Sequence, residues 1–191
     1  MHGSPPWDDV DTTAVGERIL AAASELFYLH GITATGVELI AERAHTTKRT
    51  LYQRFGSKEG LVAAYLRRRA HLWQVELHEK LKDAASASAS GRLDVVFSAA
   101  IDRAASATRG CAFVNAWAEC GPADTESARL IVGEKRWMAD LFTGIAGDAG
   151  KGRVIHMLYE GAQIRSTILG DDTALPQARD QAEVVLGRDD A

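Results

Sequence analysis

Between Thr46 and Lys58 the sequence TTKRTLYQRFGSK holds four basic residues, Lys48, Arg49, Arg54 and Lys58, and no acidic one. Thr46, Thr47, Thr50, Tyr52 and Gln53 add hydroxyl and amide groups. Leu51 and Phe55 are the apolar anchors of a helix running from Lys48 to about Arg54, which Thr47 can cap. Such a helix has little to bury and presents mostly donors. The chemistry it suits is non-covalent: cations and N–H or O–H groups against an anionic, hydrogen-bonding surface. Covalent chemistry has no comparable support. The sequence shows no nucleophile elbow, no Gly-rich phosphate loop and no metal-ligand spacing, and no cofactor is expected.

A helix this polar needs neighbours to hold it. In residues 34–44, Val37, Ile40, Ala41 and Ala44 recur at helical spacing and give one apolar stripe, with Thr35 placed to cap the start. His45 and Thr46 break the pattern, so residues 34–55 read as a short helix, a tight turn and a second short helix. Upstream, Val15, Ile19, Ala22, Ala23, Leu26 and Phe27 form the apolar face of a first helix from Thr12 or Thr13 to about His30, ended by Gly31. That helix is expected to support the other two.

The pattern Thr35, Ile40-Ala41, Thr50-Leu51-Tyr52, Phe55 and Ser57-Lys58-Glu59 resembles the helix-turn-helix of tetracycline-repressor (TetR) family transcription regulators. The likeness covers about a quarter of the chain, from roughly Ile19 to Leu66. Two positions depart from it. His45 stands where the family usually has Gly, so a side chain occupies a left-handed turn, which His tolerates better than most residues. Gly60 stands where a capping Glu is common, which weakens the start of the following helix.

The resemblance implies an all-α fold of about nine helices, with an N-terminal three-helix DNA-binding domain and a C-terminal helical ligand-binding and dimerisation domain. The expected division is a disordered segment over 1–12, a DNA-binding domain over 13–56 and an effector and dimerisation domain over 57–191. Thr46, Thr47, Lys48 and Arg49 then lie nearest the base edges of double-stranded operator DNA, and Thr35, Tyr52 and Lys58 bind phosphate. Thr50 can do either, and Gln53 completes the set. The implied activity is that of a dimeric repressor released from a pseudo-palindromic operator by a small, largely apolar effector.

Length and composition fit that reading. The 191 residues are 46% hydrophobic and 25% charged, ordinary globular values. The net charge of −4 alone argues against a nucleic-acid binder, but the local positive patch reverses this, and acidity elsewhere limits non-specific attraction. No apolar run approaches the ~18 residues of a membrane span. The first residues, MHGSPPWDDVDTT, lack the basic start and apolar run of a secretion signal, so a cytoplasmic location is expected. Cys111 and Cys120 lie in an apolar segment and read first as two buried thiols, with a thiol sensor as the alternative.

Further along, Ser57 can cap a long fourth helix reaching about Asp83. Its Arg67, Arg68 and Arg69 read as a solvated face or as phosphate ligands. Ala84 to Gly91 reads as a small-residue linker. A fifth helix carries Leu93, Val96, Phe97, Ala100, Ile101 and Ala104, and a sixth spans Cys111 to Cys120. Asp124 can cap a seventh, bearing Leu130, Trp137, Leu141 and Ile145. Gly144, Gly147, Gly150 and Gly152 are expected to loosen the connection to an eighth helix over 154–169, and a ninth runs from about Leu175 to Leu186. Trp73, Phe113, Asn115, Trp117, Glu134, Trp137 and Tyr159 are the candidate effector pocket, aromatics with a few polar groups. Glu119, His156, Gln163 and Arg165 are further polar residues among apolar neighbours. The eighth helix is apolar on more than one side and needs a partner. Leu158, Ala162, Ile168 and Leu169, with Ala182 and Val185 of the ninth, are the candidate homodimer interface. The rival readings are a thiol- or protein-responsive regulator of the same fold, an architectural DNA binder, and a cysteine-dependent enzyme using Cys111 or Cys120 with His156 and Glu119.

Overall fold

The structure, a computed structural model, describes residues 6–122 and 125–187. Among these it holds nine α-helices and no strand: α1 (Ala14–His30), α2 (Val37–Arg43), α3 (Lys48–Phe55), α4 (Lys58–Asp83), α5 (Ala89–Ser106), α6 (Ala112–Cys120), α7 (Glu126–Ala146), α8 (Ala149–Leu169) and α9 (Ala174–Leu186). No helix among the described residues is long and apolar enough to cross a membrane. The all-α expectation holds.

The start signals acted largely as their chemistry requires. Thr13 accepts from Gly16 N at α1, Thr47 from Thr50 N at α3, and Ser57 Oγ from Gly60 N before α4. Three boundaries moved, each for a cap that outranked composition. Ser88 accepts from Gly91 N, which turns the last three residues of the expected linker into the first turn of α5. Asp148 accepts from Lys151 N, so α8 begins five residues earlier than periodicity suggested. The expected Asp124 cap lies outside the described residues, but Thr125 Oγ1 accepts from Ala128 N at the start of α7. Of the four glycines expected to loosen the connection to α8, Gly147 alone makes the turn, with φ 68°. Gly152 is buried inside α8, where a Cβ would stand 2.5 Å from Thr143 Cα, so its role is close helix approach.

The described chain divides into two compact units. The head unit comprises residues 7–72 and 112–133, and the body unit 73–111 and 134–187; α4 and α7 contribute to both. The head core is built from Ile19, Leu20, Ala23, Phe27, Ile40, Leu51, Leu61, Tyr65 and Leu66, all buried. In it the Phe27 and Tyr65 rings meet edge to face at 5.6 Å. Residues 6–12 are non-helical but held: His71 Nδ1 lies 2.7 Å from the Trp7 carbonyl oxygen, and Arg68 binds Asp9 and both Glu17 oxygens. The body core centres on Leu77, Leu93, Val96, Phe97, Met138, Phe142, Ile155 and Ala182 from α4, α5, α7, α8 and α9.

Candidate nucleic-acid interface

α3 buries a single residue, Leu51, against α1 and α2. Of the other side chains, Lys48, Arg49, Tyr52, Gln53 and Arg54 are exposed and Thr50 and Phe55 half-buried. Its entry is fixed by Thr47, whose Oγ1 accepts the Thr50 N–H at 3.2 Å and sits 3.0 Å from Thr50 Oγ1. Its exit is fixed by Gly56 in the left-handed region, whose N–H returns to Tyr52 O. Four residues on, a Cβ at Gly60 would stand 2.1 Å from the Phe55 carbonyl oxygen. Here a side chain is excluded by the closeness of the α3–α4 corner, so the departure at Gly60 is a steric requirement rather than a weakened cap.

The turn between α2 and α3 explains the other departure. His45 has φ 50°, and it is the one non-glycine residue with positive φ among those described. Its N–H goes to Glu42 O and that of Thr46 to Ala41 O, the paired bonds of a Schellman closure with His45 in the left-handed position. The imidazole is exposed, so the left-handed backbone carries no steric conflict with the core.

Two placements differ from expectation. Thr35 is 1% exposed, and its hydroxyl donates to Gly31 O at 2.7 Å and Leu26 O at 3.3 Å. It closes the C-terminal end of α1; the residue preceding α2 is Gly36, which makes no side-chain cap. Thr35 is therefore neither a cap for α2 nor an outward phosphate ligand. Lys48 is not a free cation either. Its Nζ lies 2.5 Å from Glu38 Oε1 of α2, and 5.8 Å from the Tyr52 ring centre. The hydrogen bond to Lys48 lowers the Glu38 carboxyl below its ordinary range, and the same bond raises the lysine. Glu38 pairs with a residue of the expected reading helix and was missed, because it lies ten residues before its partner on another helix. Arg49, Gln53 and Arg54 remain exposed. Lys58 Nζ is 3.4 Å from Thr33 O, beside the same corner.

That corner has a further support. Glu119 of α6 accepts the Ile32 N–H at 3.0 Å and the Thr33 N–H at 2.6 Å, one on each carboxylate oxygen. Beside it a cavity of about 10 Å³, room for roughly one water, is lined by Phe27, Tyr28, Ile32, Tyr65, Asn115 and Glu119 among others. The Arg67–Arg69 run is committed within the head unit: Arg67 to Glu126, Arg68 to Asp9 and Glu17, Arg69 over the Tyr28 ring at 4.7 Å.

The candidate effector residues separate. Trp73, Glu134, Trp137 and Tyr159 are buried in the body unit, whereas Phe113, Asn115 and Trp117 belong to the head unit. Trp73 Nε1 donates to Met138 Sδ at 3.3 Å and its ring carries Arg103 at 4.4 Å. Arg165 pairs with Asp171 at 2.6 Å, and Gln163 O accepts from Thr167. Both cysteines are half-exposed rather than buried, Cys111 in the body unit and Cys120 in the head. Burial, then the Glu119 charge, pushes the Cys120 thiol up.

Of the dimer candidates, Ala162 and Ala182 are interior to the body core, and Leu158 and Val185 pack against it. Ile168 and Leu169 are open, 73% and 65% exposed. The uncovered face of α8 runs through Val154, Met157, Gly161, Ile164 and Ile168, spaced three and four residues apart in alternation. Of the expected α8 residues, Ile168 lies on this face and Leu169 is exposed, whereas Leu158 and Ala162 turn toward the body core.

An exposed, donor-covered second helix behind a left-handed turn, seated on two apolar-backed helices, defines a helix-turn-helix head on a helical chain. Residues 19–65 match the family of bacterial regulatory proteins described as the tetR family. A 51-residue stretch is 47% identical to the HTH-type transcriptional activator FasR of Mycolicibacterium smegmatis, covering 27% of this chain and 23% of that protein. The match thus spans about a quarter of the curated relative's length. Across most of the chain the fold is that of SCO4454, a TetR-family transcriptional regulator from Streptomyces coelicolor, with 28% identity, TM-score 0.82 and 92% and 95% of the two chains covered. It is also that of reduced NemR from E. coli, with 19% identity, TM-score 0.78 and 90% and 96% covered. The head thus matches the tetR family, and over most of its length the chain is similar in fold to a TetR-family transcriptional regulator.

Proposed function

We propose that the protein is a cytoplasmic, dimeric transcription regulator that binds a pseudo-palindromic DNA operator through α3 and is governed by its helical body. The observation that carries this is α3 itself: of its eight residues Leu51 is buried and Phe55 half-buried, and the other six are donors and cations left wholly or partly exposed. A helix so composed gains nothing from solvent exposure alone and is suited to the major groove. Thr46, Thr47, Lys48 and Arg49 approach base edges; Thr50, Tyr52, Gln53 and Lys58 serve phosphate and flanking contacts. Residues 13–56 act as the DNA-binding part, and 57–191 supply effector binding and dimerisation. A second copy of the chain covers the uncovered α8 face, and two recognition helices then stand about one DNA turn, ~34–36 Å, apart. Repression is the proposed sign of control, since a dimer on its operator occludes polymerase; a reporter with the operator at the promoter decides it.

The test is substitution in α3. Arg49→Ala should cost about 1–3 kcal/mol on a selected operator and relax base preference, while Lys58→Ala should weaken all duplexes alike and flatten the salt dependence. Equal losses for Arg49→Ala on selected and random DNA would remove Arg49 from base reading.

One observation favours a thiol-responsive variant of this reading. Lys135 Nζ donates to Cys111 Sγ at 3.6 Å, and Cys111 is half-exposed. Cys120, held as a thiol, is the natural control. Loss of DNA binding on peroxide treatment that Cys111→Ser abolishes and Cys120→Ser does not would support it.

A further inference from the structure

Residues 7–12 lie outside every helix, yet they are tied to three helices at once, and all of these contacts fall inside the head unit. On α4, Arg68 binds Asp9 through Nε and donates to the Val10 carbonyl at 3.4 Å. Its two terminal nitrogens also take both carboxylate oxygens of Glu17 on α1, each at 2.9 Å. Nearly one turn further along α4, His71 Nδ1 donates to the Trp7 carbonyl oxygen at 2.7 Å, and its Nε2 faces Asp9 Oδ2 at 3.8 Å. On α7, the Trp7 ring covers Gly133, where a Cβ would stand 3.0 and 3.1 Å from two ring atoms.

The helices beneath make room for this segment. Glycine inside a helix is a cost in conformational entropy. Gly133 leaves space for the Trp7 ring, and Gly16 of α1 leaves space for Thr12, whose Oγ1 would stand 1.9 Å from a Cβ. Charge matches as well. The segment carries Asp8, Asp9 and Asp11 and no basic residue, and the Arg68 side chain beneath it is only 19% exposed. α4 itself runs unbroken for 26 residues from Lys58, and its Leu61, Tyr65 and Leu66 belong to the head core. Arg68 therefore lies about 15 Å from Lys58 along one rigid rod. A clamp on Arg68 and His71 sets the position of the α4 end that follows α3. Because the segment is outside every helix, it can open while each of them stays formed.

We propose that residues 7–12 are a strap that locks α4 to α1 and α7 and thereby holds α3 in its DNA-binding setting. The mechanical part stands on these contacts alone, and its meaning for DNA rests on the function proposed above.

The test uses the full chain carrying Trp7→Ala or Asp9→Ala, with Asp8→Ala as the control, since Asp8 is exposed and outside these contacts. Without DNA, hydrogen exchange read by mass spectrometry should quicken about ten-fold across residues 62–72 of α4 in the two strap variants. Exchange in α5 and α9 should stay at wild-type rates, and Asp8→Ala should change nothing. Exchange in α4 within about two-fold of wild type, or an equal rise in α5 and α9, would overturn the strap. On a selected operator, both strap variants should bind about three-fold or more weakly although α3 is unaltered, because a freed head must be ordered on binding. Quickened α4 exchange beside an operator affinity equal to or tighter than wild type would overturn the lock on DNA binding. A wild-type chain that binds no selected duplex would overturn the function proposed above, and the exchange result then decides the strap alone.

Discussion

Removing the Glu119 carboxylate should loosen the corner on which α2 and α3 are set. In Glu119→Ala two backbone donors lose their acceptor, Ile32 N at 3.0 Å and Thr33 N at 2.6 Å. They are not equivalent. Thr33 is exposed and water can replace the lost oxygen, so its bond contributes about 0.5 kcal/mol. Ile32 is 9% exposed, and its orphaned N–H carries a desolvation cost of about 1–2 kcal/mol. The sum, about 2 kcal/mol, corresponds to a fall in melting temperature of about 4–8 °C for a chain of this size. Glu119→Gln retains one acceptor oxygen and should lose about half as much. Thermal melts followed by circular dichroism give the shift, and a gel shift on a selected operator gives the consequence for binding. Operator affinity should fall although no exposed donor of α3 has changed. A melting temperature within about 1 °C of wild type for Glu119→Ala, equivalent to under ~0.5 kcal/mol, would show that the two bonds do not support the corner.

Other predictions follow from the same geometry. Glu38→Gln frees Lys48 and should tighten binding to all duplexes and steepen its salt dependence; a gel-shift series across salt concentrations reads both, and an unchanged slope would mean the pair opens at no cost. Ile164→Glu places a charge at the middle of the uncovered α8 stripe and should convert a dimer into monomers by sedimentation velocity without lowering the melting temperature of the monomer unit; a persistent dimer would relocate the interface. The Glu134 carboxyl is raised in the folded chain, so the native state binds its proton more tightly than the unfolded chain does, and stability should decline as pH rises from the ordinary carboxylate range through the raised value. Glu134→Gln should flatten that decline, which melts across the acid-to-neutral range would detect.

Local chemistry carried the helix-turn-helix. Thr13, Thr47 and Ser57 cap helices within three residues of themselves, and the stripe Val37, Ile40, Ala41 and Ala44 is read without knowing what covers it. What local pattern misses is the choice among partners. Thr35 stands where it could cap α2, yet two carbonyls at the end of α1 hold its hydroxyl, an arrangement made by the connection after α1 folding back on that helix. Glu119 acts on amides 86 and 87 residues away, so nothing in its own neighbourhood marks it. Leu158 and Ala162 were assigned to the outer face because that helix is apolar on several sides, and sequence alone does not say which side its own core takes; Ala162 and Ile155 turn inward and Met157, Ile164 and Ile168 outward. Glu134 was visible as a charge on an apolar face, but whether its Oε2 finds a donor depends on where Lys135 points.

The contact between Glu38 and Lys48 has a consequence for search along a chromosome. A lysine already facing a carboxylate gains little by exchanging it for a phosphate oxygen of arbitrary sequence, because the two acceptors offer similar charge at similar distance. It gains more where a guanine edge presents two acceptors together. On the proposed reading, an acidic residue of α2 facing α3 works as a threshold: it subtracts from every encounter with DNA, and weighs most on the weak ones.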